Sequence, residues 1–188
     1  MLSEMGKRAV FLDRDGVLNR ATVCEGKPYA PRCLQEFELL ADALPATMAL
    51  RKAGLIIVVV TNQPDVGNGL VHKSVVEEMH DCLRGSVPVD AIKVCYHGQK
   101  DNCICRKPRT AMLEEAAREL DLDLPGSFMV GDRWSDMEAG KRQGCYTILI
   151  DRGYSEALRG EPDVVVGSLT DAVGVILTEL SKGTDVKT

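Results

Sequence analysis

Residues 55–60 read LIIVVV, six aliphatic side chains in succession with no polar position among them. Successive side chains of a strand point to opposite faces, so such a run has to be covered on both. Strands of this kind occur inside parallel sheets, whose neighbouring strands are joined by helical crossovers. The rest of the chain repeats the theme. AVFLD (9–13), AIKVCY (91–96), SFMVGD (127–132), YTILI (146–150) and DVVV (163–166) read as further strands. Between them lie helical patterns. Residues 42–53 form one, with Gly54 as its stop. Val75, Val76, Met79, Cys82 and Leu83 share a helical face, as do Met112, Leu113, Ala116, Ala117 and Leu120. Residues 135–143 form a short helix, and Ala172, Val173, Ile176, Leu177 and Leu180 mark a closing one. Strand and helix alternate throughout, which predicts an α/β fold: a doubly wound parallel sheet with helices on both faces. One domain over residues 1–188 is expected, with a loose tail at 182–188.

Hydrophobic residues make up 45% of the chain and aromatics only 4%, so the core is aliphatic. No apolar run approaches the roughly 18 residues of a membrane span. The start, MLSEMGKRAV, lacks the apolar stretch of a secretory signal. A net charge of -5 argues against a nucleic-acid partner. Seven cysteines without a secretion signal point to a reducing compartment, and a cytoplasmic location is expected. Cys24, Cys33, Cys82 and Cys145 are scattered and read as small apolar fillers. The other three cysteines fall in CYHGQKDNCICRKP, residues 95–108, with a histidine, an arginine and a lysine. On residue types alone this stretch is a disulfide knot, a metal clip or part of an active site. The odd cysteine count fits a disulfide framework poorly.

In doubly wound sheets ligands bind beyond the carboxyl ends of the strands. After the first strand comes Asp13-Arg14-Asp15-Gly16, and after the second Thr61-Asn62-Gln63. The third leads to Arg106-Lys107-Pro108, and the fourth to Gly131-Asp132-Arg133-Trp134-Ser135-Asp136. Asp13 and Asp132 would be two carboxylates in one small space, which repel unless a cation lies between them. Hard oxygen ligands suit Mg²⁺, which is commonly shared between carboxylates and a substrate phosphate. A carboxylate is also a nucleophile able to form an aspartyl-phosphate. Thr61 offers a hydroxyl donor and Lys107 a positive charge for phosphoryl oxygens. Asp15 is placed to protonate a leaving oxygen and then activate water. Each piece alone is weak; the four in order at successive strand ends are a strong signal.

These residues resemble the motifs of the haloacid-dehalogenase-like (HAD) phosphatases, a likeness running from Val10 to about Asp151. FLDRDGVLN resembles the first motif, implying Asp13 as nucleophile and Asp15 as acid/base. VVVTNQ resembles the second, with Thr61 as a phosphoryl ligand. CRKP supplies the motif lysine, Lys107. VGDRWSDMEAG resembles the fourth, with Asp132 as a magnesium ligand and Asp136 in support. The backbone carbonyl at Asp15 is a further implied magnesium ligand. Two branches, the heptose bisphosphate phosphatases and the histidinol phosphatases, carry C-x-H followed by C-x-C-R-K-P, as this chain does. That implies a closed structural Zn²⁺ site of Cys95, His97, Cys103 and Cys105, clamping the loop that aims Lys107.

The resemblance also implies a substrate class. Arg106 resembles the substrate-recognition arginine of the heptose branch, and Arg133 lies where that branch contacts substrate. Asn62 and Gln63 are expected as further substrate contacts. Arg14, Arg106, Lys107, Arg109 and Arg133 would make a local positive field. About twenty residues separate the first motif from its following helix, too few for a separate cap domain, so an open site is expected. The chain departs from the heptose branch at residues 64–69, reading PDVGNG in place of SGIARG. The implied activity is Mg²⁺-dependent removal of the C7 phosphate from D-glycero-D-manno-heptose 1,7-bisphosphate. Histidinol phosphate or another small sugar phosphate is the alternative substrate, and a non-catalytic zinc-stabilised module a remote one. The only expected partner is a small phosphorylated sugar, and the expected state is a monomer.

Overall fold

A computed structural model describes residues 6–157 and 159–182. All six expected strands form one parallel sheet. In chain order its members are β1 (Ala9–Leu12), β4 (Ile56–Asn62), β5 (Ala91–Cys95), β6 (Phe128–Gly131), β7 (Tyr146–Ile150) and β8 (Val164–Val166). Their spatial order is β5-β4-β1-β6-β7-β8. The chain builds outward from β1 to one side, then returns to build outward on the other. The switch point therefore lies between β1 and β6, the strands that precede Asp13 and Asp132.

The helices are α1 (Ala43–Lys52), the short α2 (Pro64–Gly67), α3 (Lys73–Ser86), α4 (Ala111–Leu120), α5 (Trp134–Arg142) and α6 (Leu169–Lys182). Alternation along the strands divides the core in two. Val10, Leu12, Ile57, Val59, Val130 and Ile148 pack with Leu50 of α1, Leu83 of α3 and Ile176 of α6. Phe11, Val58, Val60 and Met129 face the other way, onto Met112 and Leu113 of α4 and Ala139 of α5. Both faces of LIIVVV are thus covered.

Several expectations change. Thr61 and Asn62 belong to β4 itself, paired with Val94 and Cys95 of β5, and do not follow the strand. A two-stranded hairpin, β2 (Thr22–Cys24) and β3 (Lys27–Tyr29), follows the first motif. Its strands are three residues long and largely exposed, so they carry no apolar alternation to read. Cys145 is buried as expected, but Cys24 and Cys82 are exposed and Cys33 is half-buried. On α3 the buried face is Val76, Met79, His80 and Leu83, which leaves Cys82 on the outer side. Leu177 is likewise exposed on α6. Lys182 ends α6, and the rest of the expected tail, 183–188, lies outside the described residues. Among the described residues no helix is long and apolar enough to cross a membrane.

Candidate active site

β1 pairs with both β4 and β6, Leu12 lying level with Val59 and Val130. The next residue, Asp13, donates its N–H to the Val130 carbonyl at 3.0 Å. Asp13 thereby leaves the sheet beside Asp132, which follows β6. Two glycines allow the close approach. Gly16 turns the chain at φ 82°, and a side chain there would meet Asp132 Oδ2 at 1.8 Å. A side chain at Gly131 would meet the Cβ of Asp136 at 2.3 Å. Asp136 sits in the first turn of α5, where its Oδ2 accepts the Arg133 N–H at 3.1 Å.

Lys107 enters this cluster from the other side. Its Nζ lies 2.9 Å from Asp13 Oδ1 and 2.7 Å from Asp136 Oδ1. It also donates to the Val60 carbonyl at 2.6 Å. Burial alone would drive the ammonium toward its neutral form, but Asp13 and Asp136 outweigh it and raise the pKa. The acids are less well balanced. Burial pushes Asp13 up to about 7, against the pull of Lys107 and with the help of Asp136 and Asp15. Burial, then Asp13 and Asp136, push Asp132 well above the usual carboxylate range. Asp132 Oδ2 accepts from the Tyr154 hydroxyl at 2.8 Å, while its buried Oδ1 has no hydrogen-bond partner among the described residues. Carboxylate oxygens of Asp13, Asp132 and Asp136 lie within 4.8 Å of one another. An all-oxygen cluster with an orphaned buried acceptor fits a hard divalent cation such as Mg²⁺.

Asp15 is engaged by three side chains. Arg14 donates to it from Nε and Nη2 at 3.0–3.2 Å. Asn19 donates at 2.9 Å and Gln63 at 2.8 Å. The same Gln63 amide reaches Thr61 Oγ1 at 2.9 Å. Arg14 is fully buried, so it adds nothing to an exposed positive field.

The Lys107 loop is tied down twice. The Asn62 side chain accepts from Lys107 N at 3.0 Å and donates to Lys107 O at 3.1 Å. Beside it, Cys95 ends β5 opposite Asn62 and joins His97, Cys103 and Cys105. Cys95 Sγ lies 3.1 Å from Cys105 Sγ and 3.7 Å from Cys103 Sγ. His97 Nδ1 lies 3.2 Å from Cys105 Sγ and 3.6 Å from Cys95 Sγ. Tetrahedral zinc with thiolate bonds near 2.3 Å sets its ligand atoms about 3.7 Å apart. The four side chains therefore converge as a closed Cys₃His site requires, and all seven cysteines are free thiols. Arg109, expected to add to the field over the site, instead donates to Asn102 and to the Cys103 carbonyl of this loop.

A cavity of about 350 Å³ opens above the carboxylates, lined by Asp13, Asp15, Asn62, Lys107 and Asp132. The hairpin and the PDVGNG turn add Lys27, Tyr29 and Asp65 to its wall. Arg106 lines it too, and its buried Nη1 has no hydrogen-bond partner among the described residues. Arg133 also lines it, but Glu156 grips that guanidinium at 3.0 and 2.6 Å. Tyr154 and Glu156, both past the end of β7, escaped the sequence reading. The strand-end rule that located Asp13 and Asp132 would have found them had it been carried past Asp151.

A HAD-hydrolase-like family model matches residues 104–172. D-glycero-beta-D-manno-heptose-1,7-bisphosphate 7-phosphatase of Pseudomonas aeruginosa is 33% identical over 163 residues, 84% of this chain and 89% of that protein. The crystal structure of the D,D-heptose 1,7-bisphosphate phosphatase of B. bronchiseptica, complexed with magnesium and phosphate, aligns with a TM-score of 0.79 at 30% identity. That alignment covers 92% of this chain and 99% of the other. The histidine biosynthesis bifunctional protein HisB of Campylobacter jejuni is 35% identical over 71% of this chain, but over only 38% of its own length.

Two outcomes follow. Protein purified without chelator is expected to contain about one zinc per chain, and its removal to lower the melting temperature, because no formed site exists in the unfolded chain. Elemental analysis and thermal melts check this. The second concerns pH. Without a divalent cation Asp13 holds its proton up to about pH 7 in the folded state, against 3.8 when unperturbed. The folded state then binds more protons across that interval, so stability falls as pH rises through it. Mg²⁺ should therefore raise the melting temperature of zinc-loaded protein more at pH 8 than at pH 5. Equal increments at both pH values would contradict it.

Proposed function

The chain belongs to the HAD-like phosphatases, phosphoric monoester hydrolases, and on that premise we propose that it removes the C7 phosphate of D-glycero-D-manno-heptose 1,7-bisphosphate. The observation that carries the reaction is the buried Lys107 ammonium within 3 Å of both Asp13 and Asp136, beside the partnerless Asp132 Oδ1. Asp13, Asp132 and the Asp15 carbonyl, supported by Asp136, would hold magnesium. When bound, it supplies positive charge to the phosphoryl oxygens.

The chain's own groups account for the rest. Asp13 Oδ1 is taken up by Lys107 and by the Arg14 N–H at 2.8 Å. Its other oxygen, Oδ2, carries neither contact and is the one to attack phosphorus. The bond from phosphorus to the ester oxygen breaks, and Asp15 delivers a proton to the departing alkoxide. An aspartyl-phosphate remains on Asp13. Asp15, now ionised, takes a proton from water as that water attacks the same phosphorus, which frees Asp13 and inorganic phosphate. Lys107 and Thr61 hold the transferring group. Cys95, His97, Cys103 and Cys105 would hold zinc, which would keep the Lys107 loop fixed.

For the substrate, the relatives' names supply the sugar and the cavity supplies the handle. Arg106 lines the cavity wall, and a guanidinium there suits the second phosphate of a bisphosphate. Arg133, held by Glu156, contributes less charge. Asn62 and Gln63 serve more as braces for Lys107 and Asp15 than as free substrate contacts. The likeness to HisB makes histidinol phosphate the second reading. Free thiols suit a cytoplasmic location, and a single-domain monomer completes the reading.

A panel of both heptose bisphosphate anomers, histidinol phosphate and several sugar monophosphates, assayed by phosphate release, tests it. The heptose bisphosphate should have the highest kcat/KM, and Arg106→Ala should cost it at least tenfold while sparing monophosphate esters. A tenfold advantage for any other substrate would refute it.

A further inference from the structure

Behind Asp15 lies a buried polar chain that phosphoryl transfer does not by itself require. Arg14, fully buried, spends Nε and Nη2 on Asp15 and turns Nη1 to Nε2 of His80 at 3.2 Å. The guanidinium lies over the Phe37 ring, 5.5 Å from its centroid. His80 comes from the buried face of α3, an element that contributes nothing to the carboxylate cluster. The Glu77 carboxylate stands 3.6 Å from its Nδ1, and Glu77 also accepts from the Tyr96 hydroxyl.

The protonation pattern of this chain is dictated by chemistry. A guanidinium only donates, so His80 Nε2 must accept, and the imidazole must be neutral with its hydrogen on Nδ1. The surroundings agree: burial and then the Arg14 charge push His80 down to about 4. A side chain with no acceptor at that point would leave a buried N–H of a charged group unsatisfied. Arg14 would then turn to find another partner, and the carboxylate it holds through three contacts would turn with it.

We propose that His80 is a positioning residue for Asp15, acting through the buried guanidinium of Arg14. The inference rests on the reading of Asp15 as the proton carrier. His80 touches neither substrate nor the reacting atoms; it fixes the plane of Arg14, and Arg14 fixes the plane of the Asp15 carboxylate. Misorienting a general acid costs most where the leaving group most needs a proton. The effect is therefore selective among substrates, which a loss of packing would not be.

The test compares His80→Gln, whose carbonyl reaches the place of Nε2, with His80→Asn, whose amide stops near that of Nδ1, and with His80→Leu. kcat/KM is measured for phosphate esters running from p-nitrophenyl phosphate to alkyl phosphates. His80→Asn and His80→Leu should lose about tenfold on alkyl esters and little on p-nitrophenyl phosphate, and His80→Gln should restore the alkyl rate. Equal losses across the series, or no loss, overturn the proposal. So does NMR of the wild-type imidazole at pH 6 showing His80 protonated or carrying its hydrogen on Nε2, a result that needs no variant to fold. If Asp15→Asn itself keeps its rate on alkyl esters, the underlying reading of Asp15 fails instead.

Discussion

A lysine ammonium buried between two carboxylates is the interaction on which the site depends. Lys107 lies within 3 Å of Asp13 and Asp136 and is almost wholly removed from water. A lone ammonium in that position would cost several kcal/mol, as would either acid alone. Together they are tolerable, and removing one partner from such a group costs about 3–5 kcal/mol. Three carboxylates face one ammonium, which leaves the ionised cluster two positive charges short, and among the described residues Asp132 has only the Tyr154 hydroxyl as partner. That shortage suits the cluster to a divalent cation. Hydrophobic burial elsewhere supplies the stability that allows the imbalance.

The sheet determines where the imbalance occurs. β1 is the strand from which the chain builds in both directions, so the residues after it and after β6 meet at the switch point. β4 and β5 complete the arrangement on the other side, with Asn62 and Cys95 level in the register. Asn62 grips the Lys107 main chain, and Cys95 anchors the four-ligand loop that carries Lys107. A Cys₃His cluster suited to zinc, an amide clamp and a buried ion pair thus act in series on one side chain. The length of this restraint suits its purpose, because a long flexible lysine aimed from a loop would otherwise lose much of its electrostatic effect.

The legible parts of this molecule are those governed by strong local rules. LIIVVV and its counterparts announced every strand of the main sheet, because burial in a parallel sheet leaves short runs rich in aliphatic residues. That Asp13, Asp15 and Asp132 would gather at one rim was legible because they follow strand ends, where one rule says to look; Thr61 lies within β4, and Lys107 reaches the cluster from a loop twelve residues past β5. What escaped depends on long-range partners. The sequence cannot say that Arg14 turns inward to His80, since an arginine in a polar turn is ordinarily solvated. Nor does it show that Glu156 neutralises Arg133 across 23 residues. The hairpin escaped because three exposed residues per strand leave no periodicity. Cys82 was misplaced because it sits beside the apolar stripe of α3, at the angle where a helix turns from buried to exposed.

In the proposed mechanism this cluster makes Asp13 a nucleophile toward phosphorus. Rapid quenching of the enzyme with ³²P-labelled substrate, followed by peptide mapping, tests it most directly. The label should appear transiently, be released by hydroxylamine as an acyl phosphate is, and map to the peptide containing Asp13. Label on another residue, or turnover with no phosphoenzyme and with solvent oxygen delivered to phosphate in a single inverting step, would contradict the account.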